Sequence, residues 1–115
     1  MVDRRMILPD RDQAYIPKQK LKEYLLSETH IIGKAKAKYF RSIGYTEKNA
    51  NELAKALLMI AKSNEVSQEI ITPYGTKYIV EGEISSPSGT TVRILTVWVI
   101  ELNDEHPRFV TAYPA

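Results

Sequence analysis

The chain contains no cysteine among its 115 residues. That absence excludes disulfides, a cysteine nucleophile and any thiolate zinc site. No apolar run approaches the roughly 18 residues of a membrane-spanning helix, so no membrane association is expected. The first twelve residues carry charge where a signal peptide needs an apolar stretch, and a cytoplasmic location is expected. The net charge is only +2, so the overall basic footprint of a nucleic-acid-binding protein is missing. There are two histidines, His30 and His106, and neither belongs to a carboxylate motif with ligand spacing. No metal and no cofactor are therefore expected. P-loop, GxGxxG, nucleophile-elbow and HExxH motifs are all absent.

What remains is an ordinary globular composition, 43% apolar and 26% charged, expected to form one domain over residues 1–115. Its charge is unevenly spread. From Ile31 to Thr46 there is no acid, while Lys34, Lys36, Lys38 and Arg41 are all basic. Residues 81–105 hold Glu81, Glu83, Glu101, Asp104 and Glu105 against Arg93 alone. An anion would be steered toward one region of such a molecule.

In chain order, residues 1–16 read as an arm, broken by Pro9 and the Asp10-Arg11-Asp12 cluster. Residues 17–64 read as the helical part. Pro17 suits a first helical turn, and Leu21, Tyr24 and Leu25 follow at helical spacing, which predicts a helix over 17–28. A second helix over 34–43 ends at Gly44, and Thr46 caps a third that runs to about residue 64. Its buried stripe is Leu53, Ala54, Leu57, Ile60 and Ala61. The period then changes. Segments 66–72, 77–85, 91–102 and 108–113 are rich in Val, Ile, Thr and Tyr and are separated by turn residues. Short links imply an antiparallel meander. The fold class is α+β, with two to three N-terminal helices packed on a four-stranded antiparallel sheet over residues 66–113. The run Val92–Ile100 is the expected central strand, covered on both faces, with the arm or a partner as cover for the second face.

The chemistry-bearing candidates are few. On a helix over 34–43, Lys34, Lys38 and Arg41 form a solvated face, whereas Lys36 falls among the apolar positions. Lys36 must snorkel, pair with a carboxylate or face a polar cleft. His30 precedes it in a loop whose following helix start offers backbone N–H groups to an anion, and histidine is the usual acid or base near neutral pH. Arg93 is the one charge inside the apolar strand, with either a glutamate or a substrate phosphate as its partner. Tyr74 and Lys77 flank a hairpin turn able to overhang a ligand. Phe109, Thr111 and Tyr113 alternate onto one face of the last strand. His106 reads as a surface residue.

These residues coincide with a family pattern. Ile16-Pro17, Lys20-Leu21 and Tyr24-Leu25-Leu26 open it. The motif His-x-x-Gly-x-x-Lys-Ala-x-x-Phe follows at His30, Gly33, Lys36, Ala37 and Phe40. Segments 73–78, 96–98 and 107–114 complete it. The chain resembles, over nearly its full length, a small bacterial domain family frequent in cyanobacteria that also occurs at the C-termini of larger toxin-like proteins. It departs from the family's pattern at Ile31, where proline is common, and near Leu95, where arginine is expected. More distantly the helices-then-sheet order is similar to the barnase–EndoU–colicin–RelE group of metal-independent ribonucleases. That likeness implies a toxin-type ribonuclease with His30, Lys36, Thr111 and Tyr113 as catalytic residues. Gly33, Tyr74, Lys77 and Arg93 would bind substrate, RNA would be the substrate, and a cognate antitoxin or immunity protein the partner. The other expected function is a non-catalytic interaction module that forms a complex with an operon partner.

Overall fold

The computed structural model describes residues 6–21 and 34–115, with Lys34, Ala35 and Lys36 described as backbone. It contains helices α1 (Lys34–Ser42) and α2 (Ala50–Ser63), and strands β1 (Val66–Thr72), β2 (Gly75–Ser85), β3 (Thr91–Glu101) and β4 (Arg108–Pro114). The strands form one antiparallel sheet in the order β1-β2-β3-β4. The α+β class and the meander follow the sequence reading. The helix expected over 17–28 lies mostly outside the described residues, although its first turn is closed by Lys20 N–H donating to Pro17 O at 3.0 Å.

The junction between the helices is built by local sequence. Gly44 takes a φ of +103°, which ends α1 in the left-handed conformation. Thr46 then caps the next segment. Its hydroxyl accepts from Lys48 N–H at 3.2 Å, and its own N–H donates to Asn49 Oδ1 at 2.6 Å. A single 3-10 turn, Glu47–Asn49, leads into α2. The α2 stripe packs as its spacing requires, with Leu53, Leu57, Ile60 and Ala61 at 1% exposure or less and Met59 facing water.

Both helices lie on one face of the sheet, here called the inner face. Phe40 of α1, Ile43 just after it and the α2 stripe share one apolar cluster with Val80, Ile94, Trp98, Phe109 and Ala112. The N-terminal arm joins them there. Leu8 is 1% exposed, and Ala14 and Ile16 pack on the same cluster. The arm therefore lies with the helices and does not cover the second face, because its apolar residues find the deeper apolar surface on the helix side. It also closes two sheet positions: Val66 N–H donates to Met6 O at 2.7 Å, and Phe109 N–H to Tyr15 O at 3.0 Å.

Burial alternates from Arg93 to Trp98 of β3. Ile94, Thr96 and Trp98 are fully buried, while outer-facing Leu95 and Val97 are half-buried. The expectation that β3 is covered on both faces is thus corrected in part: on the outer face Val99 is buried, whereas Leu95 and Val97 keep partial contact with solvent. Buried polar groups are paired on the inner side. Trp98 Nε1–H donates to Thr96 Oγ1 at 2.7 Å, and the Thr96 hydroxyl donates to Val80 O at 2.7 Å. Trp98 also meets Phe109 edge-on, with ring centroids 5.4 Å apart.

A bulge in β4 changes which residues share a face. Val97 pairs with Thr111, but its neighbour Trp98 pairs with Phe109, leaving Val110 as the extra residue. Phe109 and Ala112 consequently point inward at 0% exposure. Thr111 and Tyr113 lie opposite Val97 and Leu95 on the outer face. The simple alternation that put Phe109 with Thr111 and Tyr113 is overturned by that one inserted residue.

Thr96 holds two polar groups in a place water does not reach, so its removal strands both the indole N–H and the Val80 carbonyl. Thr96→Val should cost about 1–3 kcal/mol, read as a lower urea midpoint with an unchanged slope. An unchanged midpoint would show that the relay adds no net stability.

Candidate functional site on the outer sheet face

The sequence candidates divide by element. His30 and Gly33 lie outside the described residues. Lys36 belongs to α1 by its backbone, one turn before buried Phe40. On the same helix Lys38 is exposed, as a solvated face requires, while Arg41 is half-buried and engaged with a neighbour.

The strand candidates come together. Cross-strand register sets Lys77, Val99 and Arg108 in one row on the outer face, followed by the row Ile79, Val97 and Thr111, then Glu81, Leu95 and Tyr113. Arg93 stands at the end of this face, opposite Glu83. Its Nε donates to Glu81 Oε2 at 3.2 Å, so a glutamate and not an open cleft is its neighbour. Thr96 and Trp98 lie on the other face, as strand alternation from Arg93 predicts. Thr111 and Tyr113 each have an interaction partner.

At the opposite end of the face is a concavity of about 510 Å³ lined by Thr72, Tyr74, Lys77, Val99, Glu101, Arg108 and Val110. Tight turn chemistry shapes it. Thr72 Oγ1–H donates to Gly75 O at 2.8 Å and accepts from Tyr74 N–H at 3.2 Å, which projects Tyr74 at 80% exposure. Gly75 has φ +153°, and a Cβ there would come 2.7 Å from Glu101 Cα, so the β1–β2 turn can press against the end of β3 only with glycine. Leu102 N–H donates to Tyr74 O at 3.0 Å and joins the two loops.

Arg108 donates through Nη2 to Glu101 Oε1. Lys77 is exposed and forms no ion pair among the described residues. The site therefore combines an ammonium with no ion pair among the described residues, a paired guanidinium and carboxylate, an exposed phenol ring and an aliphatic floor. Arg108 and Glu101 were missed in the sequence because their proximity depends on strand register. The signal available was their position at the two ends of one hairpin, which faces them across the ladder.

The family model for DUF6883, described as a domain of unknown function, matches residues 7–115. The chain belongs to the DUF6883 family. No curated protein matches it. Among solved structures, one chain of a contact-dependent growth inhibition toxin–immunity protein complex from Klebsiella pneumoniae 342 has the same fold. The TM-score is 0.70 at 17% sequence identity, over 91% of this chain and 96% of that one. Among the described residues no helix of this DUF6883 domain is long and apolar enough to cross a membrane, and no group of three or more His, Asp or Glu side chains is placed to hold a metal ion.

In this DUF6883 domain the β3–β4 loop beside the concavity is fastened to the N-terminal arm. Asp10 Oδ2 lies 2.6 Å from His106 Nδ1. Tyr15 donates its hydroxyl to Asp104 Oδ2 at 3.3 Å, and His106 N–H donates to Asp104 Oδ1 at 3.1 Å. His106 is half-exposed, at the surface as expected, but it is paired. The His106 N–H above all holds the Asp104 carboxyl below its ordinary value of 3.8, with further help from the Glu105 N–H and the Tyr15 hydroxyl. The Tyr15 hydroxyl is pushed up, first by desolvation and then by Asp104.

A depressed folded-state pKa adds stability above the unfolded value and loses it as pH falls through the folded one. Asp104→Asn should therefore lower the unfolding midpoint at pH 7, with the difference from wild type shrinking as pH falls below about 3.8. A difference that is the same at pH 7 and pH 2 would contradict this role.

Proposed function

We propose that this domain is a toxin-type, metal-independent endoribonuclease whose substrate lies on the outer sheet face and whose activity a cognate partner protein holds in check. The observation that carries the reading is the convergence on that face. Tyr74, Lys77 and Arg108 share one concavity, and Thr111 and Tyr113 stand on the same surface. Cations, hydroxyls and an exposed aromatic ring are what an RNA backbone and its bases require. The fold likeness to a chain of a toxin–immunity complex spans nearly the whole of both chains and supports the toxin-type reading.

The chemistry needs no metal. A base removes the proton from a ribose 2′-hydroxyl, whose oxygen attacks the adjacent phosphorus. An acid protonates the departing 5′-oxygen, leaving a 2′,3′-cyclic phosphate. His30 is the acid–base group of this proposal, and Arg108, a cation on the outer face, offsets the charge that grows on the phosphoryl oxygens. Lys36 belongs to α1 on the helix side of the sheet and takes no part in an outer-face reaction. Thr111 and Tyr113 supply hydroxyl donors, Gly33 a backbone N–H, and Tyr74 and Lys77 hold the flanking strand. The cytoplasm, where RNA is plentiful, is the place of action.

A second reading has its own support. Ile79, Leu95 and Val97 leave a half-exposed aliphatic centre on the same face, a surface suited to a non-catalytic interaction module with an operon partner. Cleavage separates the two. Purified wild-type protein should cut RNA in the presence of EDTA, and His30→Ala and Arg108→Ala should each reduce the rate by roughly 10²–10⁴. A folded protein that leaves RNA intact but co-purifies with the product of a neighbouring gene, at high and low salt alike, would favour the interaction module.

A further inference from the structure

We infer that the outer-face concavity is a nucleobase subsite that selects guanine. This deepens the RNA-facing reading of that surface and rests on it. The concavity, about 510 Å³, falls in the range of small-ligand sites, roughly 300–1,000 Å³. Its floor is apolar at Val99 and Val110, and its rim carries the Tyr74 ring at 80% exposure. A planar base is held by such a pairing of a flat aliphatic floor with an aromatic wall, with stacking indifferent to base identity.

Selectivity comes from the polar groups. Glu101 accepts from Arg108 through Oε1, and its carboxylate is 47% exposed. An ionised carboxylate has about four acceptor positions, so capacity remains after Arg108 is served. Guanine alone among the RNA bases presents two adjacent donors, N1–H and the N2 amino group, that match two carboxylate oxygens. Adenine and cytosine each set a ring acceptor beside their amino donor, and uracil flanks its single N–H with two carbonyls, so each brings an acceptor against Glu101. Lys77 and Arg108 line the same space as cations. They can donate to guanine O6 and N7, or to the phosphate that follows.

The shared ligand chemistry is a guanine nucleotide, whether free or within RNA. Full-length protein is titrated with GMP, AMP, CMP, UMP and inorganic phosphate, followed by amide chemical shifts. GMP should bind about tenfold or more tightly than the other nucleotides, with shifts centred on Tyr74, Lys77, Val99 and Arg108. Glu101→Gln should abolish the preference while retaining the fold, and Tyr74→Ala, at an exposed turn, should weaken all nucleotides together. The positions of cuts in cellular RNA report the bound form, with guanine at a fixed place beside the scissile bond. Equal binding of all four nucleotides, a response to phosphate alone, or shifts elsewhere would overturn the guanine subsite. RNA cut without regard to guanine would overturn it while leaving the nuclease reading intact. GMP binding by a protein that never cuts RNA would uphold the subsite and remove the nuclease.

Discussion

The fold depends on a division of labour across β3. One face of this strand is closed by helices and arm, and its polar atoms are satisfied within the core. The Trp98 indole reaches Thr96, and Thr96 reaches the Val80 carbonyl, at 2.7 Å in each step. With both atoms paired, a tryptophan can sit at 0% exposure without stranding a donor. The ring then meets Phe109 on the neighbouring strand. The other face is left half-open, and the strand candidates for ligand contact stand on it or at its rim.

The bulge at Val110 links the two faces. Without it, Phe109, Thr111 and Tyr113 would all point the same way, either losing an aromatic ring from the core or burying two hydroxyl groups. The extra residue lets Phe109 turn in toward Trp98 while Thr111 and Tyr113 turn out. The same irregularity brings Val110 into the lining of the concavity beside Arg108. A packing requirement and a surface requirement are thereby met on one short strand.

Much of this was legible in the residues because local chemistry specifies it. Gly44, Thr46 and the apolar stripe of α2 act within a few positions of one another, and the changes of period after residue 64 mark the strands. The separation of Arg93 from Thr96 and Trp98 follows from alternation alone. The bulge was not legible, since Arg108–Pro114 has no glycine or other marker to announce it. Nor was the company of Arg108, Glu101 and Tyr74, which exists only once β1–β2 and β3–β4 are in register and their loops are joined at Leu102. The arm was misplaced for a similar reason: Leu8 ends a run of only three apolar residues in a charged stretch, and its burial depends on a pocket made by distant elements. His30 and Gly33, the residues on which the resemblance leans most, lie outside the described part of the chain.

The central claim is that RNA meets the outer face of the sheet. It is tested most directly by amide and side-chain chemical-shift mapping with a short 2′-O-methyl RNA, which binds but offers no attacking 2′-hydroxyl. The account predicts perturbations at Tyr74, Lys77, Arg108, Thr111 and Tyr113 that weaken steeply with salt. Perturbations confined to the helix side, or none at concentrations that saturate ordinary RNA-binding domains, would contradict it.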